Sequence, residues 1–334
     1  MASTPAGTSE YDRFGPWIDE VRSIHDVPRL YRDHPLDPGA ARLVLKVPRN
    51  IARRDATPDM DLYDHLLVVD ETGLTVLSRR ARHEPGDRPT SNPRGYETRE
   101  IPFPDVVAVR DTVDLLDGRL TVHTRTGDEV SLRYNGSARD SVRRLVDELR
   151  AAAAAATPSA VGLGLLQAAA LWGTTSADLD LGRDDQSLVS DVRDAARHLD
   201  TLTPWAWHGR LRVARRASGA ARVGARAWDA LAPTTLQGIV LAGDTVALEA
   251  FSRHEAVLRS TKPVHSSSRL MVPLSAPDRL TLEAHPGLEG VVVATLAAGA
   301  ASFELVVREG SGAHLLLDAA ADSHRHSDPA AAAP

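Results

Sequence analysis

Between Arg210 and Arg226 the segment RLRVARRASGAARVGAR carries six Arg and no acid, directly after a stretch, 178 to 200, that holds seven Asp against three Arg. A guanidinium presents a planar fork of donors that matches phosphate and carboxylate oxygens. Arg210 and Arg212 alternate with Leu211 and Val213. A strand here would put both arginines on its wet face, with Arg215 and Arg216 at its end and Arg222 and Arg226 beyond. A second basic cluster, Arg42, Lys46, Arg49, Arg53 and Arg54, meets no acid until Asp55. We take Arg210, Arg212, Arg215, Arg216, Arg222, Arg226, Arg49, Arg53 and Arg54 as the candidate anion-binding residues. The competing expectation is that the basic strand faces the acidic stretch beside it, where each exposed pair contributes only about 0–1 kcal/mol.

Other constellations that support chemistry are incomplete. The chain has no Cys, which removes disulfides, thiolate metal sites and a thiol nucleophile. No G-x-S-x-G elbow, phosphate-binding loop or dinucleotide glycine pattern occurs, and in HEAVL, 254 to 258, Leu258 stands where a zinc helix needs its second His. His254 with Glu255, and His265 with Ser266 to Ser268, are the only loose catalytic candidates. Asp59 with Asp61, and Asp178 with Asp180, could face a hard cation, but no further oxygen ligands are arranged nearby. His324 and His326, beside Asp322 and Asp328, sit in a tail whose ordering entropy opposes a tight metal site. The sequence therefore predicts no catalytic residue, no cofactor and no metal.

Charge and aromatic content narrow the partners. The net charge is -6, so nothing global attracts nucleic acid or membrane. Of 14 aromatic residues, Trp205 and Trp207 lie just before the arginines, and none is interleaved with them, which gives no stacking platform for bases. The uncharged run from Ala151 to Ala177 is long enough for a membrane span, but its strongly apolar part is confined to Val161–Trp172, and we expect no transmembrane helix. The N-terminus shows no secretory pattern, so the expected location is cytoplasmic, with a peripheral membrane position as the alternative.

Strand and turn signals supply the scaffold. DHLLVVDETGLTVLSRR reads as a hairpin around Asp70 to Gly73, followed by a polar loop over 80 to 99. IPFPDVVAV, GRLTVHTRTG and EVSLRYN follow as strands, and 137 to 155 as an amphipathic helix with Val142, Leu145, Val146 and Leu149 on one face. This succession, from about Arg42 to Ala155, resembles the bacterial pleckstrin-homology-like domain. The resemblance implies two crossed sheets closed by a C-terminal helix. In some eukaryotic pleckstrin-homology members basic residues near the early hairpins hold lipid headgroups, a position where this chain has Asp70 and Glu71.

The second half repeats the first at a nearly constant offset: Gly73 with Gly243, Pro102 with Pro273, Gly118 with Gly290 and Gly127 with Gly299. The run Leu315 to Leu317 offers barely one helical turn to close the second copy. DDQSLVSDVRDAARHLDTL, with Leu188, Val192, Ala195, Ala196 and Leu199 on one face, could cover it instead.

The expected architecture is thus mainly β with helices (α+β): two pleckstrin-homology-like barrels or rolls, the first closed by a C-terminal helix, joined by a helical linker. Its divisions are a disordered 1–9, a first domain 10–156, a linker 157–204, a second domain 205–322 and a disordered 323–334. The expected function is a non-catalytic scaffold binding a protein or peptide partner, with loop 80–99 and segment 252–270 as the surfaces of interest. The alternatives are a peripheral module for anionic lipid and an enzyme of unrecognised class.

Overall fold

The period-two patterning dominates: in the computed structural model 41% of residues are in strands and 27% in helices, an α+β protein that is mainly β. The structure describes residues 10–80, 95–172, 179–216, 233–259 and 264–327. In chain order its elements are α1 (Glu10–Arg13), β1 (Asp19–Glu20), β2 (Leu43–Pro48), β3 (Tyr63–Val69), β4 (Gly73–Arg79), β5 (Tyr96–Pro102), β6 (Val106–Asp114), β7 (Asp117–Thr124), β8 (Glu129–Asn135), α2 (Arg139–Ala153), α3 (Ala160–Trp172), α4 (Gln186–His198), β9 (Thr203–His208), β10 (Leu211–Val213), β11 (Thr234–Leu236), β12 (Ile239–Gly243), β13 (Ala247–Ser252), β14 (Val257–Arg259), β15 (Ser266–Pro273), β16 (Arg279–Ala284), β17 (Val291–Ala298), β18 (Ala301–Arg308) and α5 (Gly312–Ser327). They form four sheets, none closed into a barrel: β1-β2-β3-β4-β5, β8-β7-β6-β15-β13-β12-β9, β16-β17-β18 and β10-β11-β14.

The fold divides into two compact units, one of residues 1–103, 116–120 and 132–149, the other of 104–115, 121–131 and 150–334. The sequence reading drew its boundary at 156; here the helices read as a linker, together with β6, fall in the second unit. In the first unit the predicted hairpin is present as β3 and β4. Asp70 makes its turn by accepting from the Thr72 and Gly73 amides at 2.6 and 2.9 Å. The residues read as a loop up to 99 include β5 from Tyr96, an edge strand whose Glu97 to Glu100 are exposed and so lack the alternation that marks a half-buried strand. One face of this sheet holds Val44, Tyr63, Leu66, Val68 and Leu77, packed with Phe14, Val21, Val27 and Tyr31 of the N-terminal segment. α2 buries Val142, Leu145, Val146 and Leu149 as its spacing predicts, and the turn before it is capped by Asn135, whose side chain accepts from the Ser137 amide.

In the second unit the core lies between the strands of the seven-stranded sheet and β16-β17-β18, with α3 and α5 against it. α5 runs through Ser327, so the expected tail begins later than 323, and the second unit ends in a helix of 16 residues, where the run Leu315 to Leu317 read as barely one turn. α4 covers the other face, placing Leu188, Val189, Val192 and Ala195 on Val240, Ala242 and Phe251. The apolar run after α2 becomes α3, a 13-residue helix whose glycines admit close neighbours: a Cβ on Gly162 would stand 2.0 Å from the Leu274 carbonyl oxygen, and one on Gly164 2.8 Å from that of Ala320. No helix among the described residues is long and apolar enough to cross a membrane.

A buried ionic network within the second unit gathers Arg150, Asp244, Glu249 and Arg269. Glu249, fully buried, accepts from Arg269 Nε at 2.5 Å and Nη2 at 2.8 Å, and lies 3.2 Å from Arg150 Nε. Asp244 meets Arg150 from the other side at 2.5 Å. The Asp244 carboxyl also makes the β12–β13 turn by accepting from the Val246 and Ala247 amides, the role Asp70 plays between β3 and β4. Gly73 is the first residue of β4 and Ala247 the first of β13, whereas Gly243 ends β12 and lies against the Trp205 ring.

Candidate anion-binding site

The sequence places Leu211 and Val213 inward, and the structure agrees: β10 pairs with β11, both residues pack on Leu236, Leu288 and Val291, and Arg212 is exposed. Arg210 precedes the strand, and its position is set by its backbone. Its amide donates to Asp185 Oδ2 at 2.6 Å. Asp185 sits at the end of the turn that starts α4, a turn entered through Gly182 at φ 78°. A Cβ on Gly238 would stand 3.0 Å from the Asp185 carboxylate, so the glycine at the β11–β12 corner is what lets that acid into the interior. Burial raises the Asp185 carboxyl above the usual range, against the opposing pull of the Arg210 amide and the Arg253 charge.

Around this pivot lies a cavity of about 530 Å³, walled by Ser187 from the first turn of α4, by Arg210 and Arg212, by Thr235 and Gln237, and by Arg253 with His265. Arg253 is buried and fixed, donating from Nη1 to the Ser266 carbonyl at 2.8 Å and from Nη2 to the Ser187 hydroxyl. Gln237 is 3% exposed and its Nε2 has no hydrogen-bond partner among the described residues. Neither Arg210 nor Arg212 forms an ion pair among the described residues. The cavity therefore gathers three guanidinium groups, an amide donor and the amino end of a helix, each of which favours negative charge. Asp184 is the one carboxylate in its lining among the described residues.

The other predicted arginines go elsewhere. Arg215 bridges through its backbone to Leu288, and the Arg216 amide donates to the Gly287 carbonyl; neither lines the cavity. Arg222 and Arg226 lie outside the described residues. In the first unit Arg53 donates to the carbonyls of Tyr11 and Phe14 and stacks on the Tyr11 ring at 4.5 Å, so it fastens the N-terminal segment. Arg49 donates to the Asp61 carbonyl at 3.3 Å and lies 3.9 Å from Asp64, while Arg54 is exposed, 3.7 Å from Asp55. Asp61 is held by Arg29 Nε at 3.2 Å, and the Asp59 carbonyl by the same guanidinium. Asp178 and the side chains of His324 and His326 are outside the described residues.

Of the loose catalytic candidates, the Ser266 hydroxyl accepts from the His254 amide at 3.2 Å, and His265 reaches the cavity from an exposed position. No cluster of His, Asp and Glu among the described residues is suited to a metal. Sequence reasoning missed Arg253 and Gln237. No family model, curated protein or solved structure matches the chain.

Proposed function

We propose that the protein is a non-catalytic interaction module of two pleckstrin-homology-like units, and that its second unit docks an acidic or phosphorylated segment of a partner protein at the Arg210–Arg212–Arg253 cavity. The observation that carries the reading is the convergence of those three guanidinium groups, with no ion pair on Arg210 or Arg212 among the described residues. The recess favours one anionic group presented on a flexible segment. A broad anionic membrane surface would bring further negative charge against Asp184 and the Asp-rich stretch around it, at no gain for Arg253, which lies too deep to reach it.

The two-unit reading is supported by matching order and register. β3-β4-β5 and β12-β13-β15 are antiparallel meanders turned by Asp70 and Asp244. Pro102 ends β5 opposite Gly73, and Pro273 ends β15 opposite Ala247. Three strands and a helix follow in each case, with Gly127 and Gly299 at the last hairpin turns, at φ 87° and 61°.

The test is fluorescence anisotropy with degenerate acidic peptides, with and without phosphoserine, beside vesicles of phosphatidylcholine and phosphatidylglycerol. Peptide binding that weakens with salt and falls about tenfold in Arg210→Ser/Arg212→Ser, at unchanged melting temperature, supports the proposal. Binding to vesicles alone, or peptide binding that ignores the double substitution, overturns it.

A further inference from the structure

A second cavity, about 430 Å³, opens in the core of the second unit between the seven-stranded sheet and β18. Its size falls within the range of small-molecule sites, roughly 300–1,000 Å³. Much of the wall is apolar, with Leu270 from β15 and Phe303 and Leu305 from β18. The remainder is polar. Arg110 on β6 stands directly opposite Leu270 in the sheet, half-buried, and its guanidinium forms no hydrogen bond or ion pair among the described residues. His123 on β7 lies 3.0 Å through Nδ1 from Glu129 Oε1 and edge-on to the Phe303 ring at 5.1 Å; its Nε2 is buried without a partner. Gln237, which lines both cavities, brings its unpaired Nε2 amide. Glu304 is the one carboxylate of the lining, and it is exposed.

Buried polar groups in native proteins are almost always hydrogen-bonded, so two such nitrogens, His123 Nε2 and Gln237 Nε2, beside the half-buried Arg110 around one partly apolar chamber call for a ligand of matching polarity. Two of the three are donors, and the strongest is a cation. Glu129 bears on the Arg110 charge without forming an ion pair with it among the described residues, while the apolar wall offers burial to a hydrocarbon or aromatic body. We infer that this cavity binds a small amphipathic carboxylate, its acid group on Arg110 and its apolar body against Leu270, Phe303 and Leu305. Gln237 and Arg253 line both cavities, and Arg210 and Arg212 line only the anion-binding one, so substitutions at those two arginines tell the sites apart.

Isothermal titration of the full chain with hexanoate, octanoate and decanoate tests this, with n-octanol and octyltrimethylammonium as controls. One equivalent of at least one acid should bind saturably, and the two controls at least tenfold more weakly. Arg110→Met, which keeps the length and removes the charge, should weaken the acid tenfold or more. Ala256→Trp, which fills the mouth from a half-buried position, should do the same without touching Arg110. Arg210→Ser/Arg212→Ser should leave it unchanged, which separates this site from the other. No saturable binding of any acid, octanol binding as tightly as octanoate, or full affinity in both Arg110→Met and Ala256→Trp overturns the inference.

Discussion

Replacing Glu249 by Ala tests how the second unit is held together. Glu249 is fully buried, and its carboxylate is shared by Arg269, which donates twice, and Arg150. Removing it leaves Arg150 with Asp244 but takes from Arg269 the buried carboxylate to which it donates twice. Breaking a buried ion pair from one side costs about 3–5 kcal/mol, and we expect the lower half of that range because Arg269 remains 13% exposed and can turn toward water. Of the five Trp only Trp17 belongs to the first unit, so tryptophan fluorescence reports mainly on the second. With a urea slope of about 2 kcal/mol per M, the midpoint should fall by roughly 1.5–2 M. Glu249→Gln keeps one acceptor and should lose about half as much. Arg150→Met/Glu249→Leu/Arg269→Met removes all three charges and should return close to the native midpoint, since an apolar replacement of a buried ionic group is often neutral. A Glu249→Ala midpoint within about 0.3 M of the native one would mean that the network adds almost nothing, and the reasoning would fail.

Three further outcomes follow from the geometry. Gly162→Ala should destabilise the second unit by about 1–3 kcal/mol despite the better helix propensity of Ala, because its Cβ would stand 2.0 Å from the Leu274 oxygen; a raised melting temperature would refute the packing. Arg53→Lys should expose the segment around Tyr11 and Phe14 to limited proteolysis, since an ammonium on a flexible stem cannot fork between both carbonyls and stack on the ring; an unchanged cleavage rate would refute that role. Burial holds His65, His123 and His208 below the usual imidazole range. The unfolded chain protonates these groups near pH 6.5 and the folded one only lower, so the unfolded state binds more protons in between. The urea midpoint should therefore fall as pH drops from 7.5 to 5.5, and equal midpoints would contradict the assignment.

Legibility in the sequence followed the range of the forces involved. The β3–β4 hairpin and α2 were visible because Asp70 to Gly73 and the Val142–Leu149 spacing are local signals. α4 was found as a cover because its apolar face is complete within one helix. α5 was underestimated for a specific reason. Ala313, Leu316, Leu317, Ala320 and Ala321 do recur at helical spacing and are all buried, but Ala carries too little apolar weight to mark a face unless it is counted as core. The short strands β10, β11 and β14 have three residues each, too few to show a period. In the site, Arg210 and Arg212 could be read from alternation along one strand. Arg253 and Gln237 could not, since their burial arises where α4, β11 and the end of β13 meet, and no spacing in the chain records that Ser187 and Ser266 converge on one guanidinium.

The pairing of β6 with β15 joins Val109 to Met271, about 160 residues apart. During synthesis at about 5–20 residues per second, β6 would leave the ribosome on the order of ten to thirty seconds before its neighbour exists. Through that interval one side of an apolar strand, Val107-Ala108-Val109, stands open to any passing backbone, so the nascent chain is at greatest risk of aggregation midway through translation, and a chaperone that shields this strand would raise the yield of native protein.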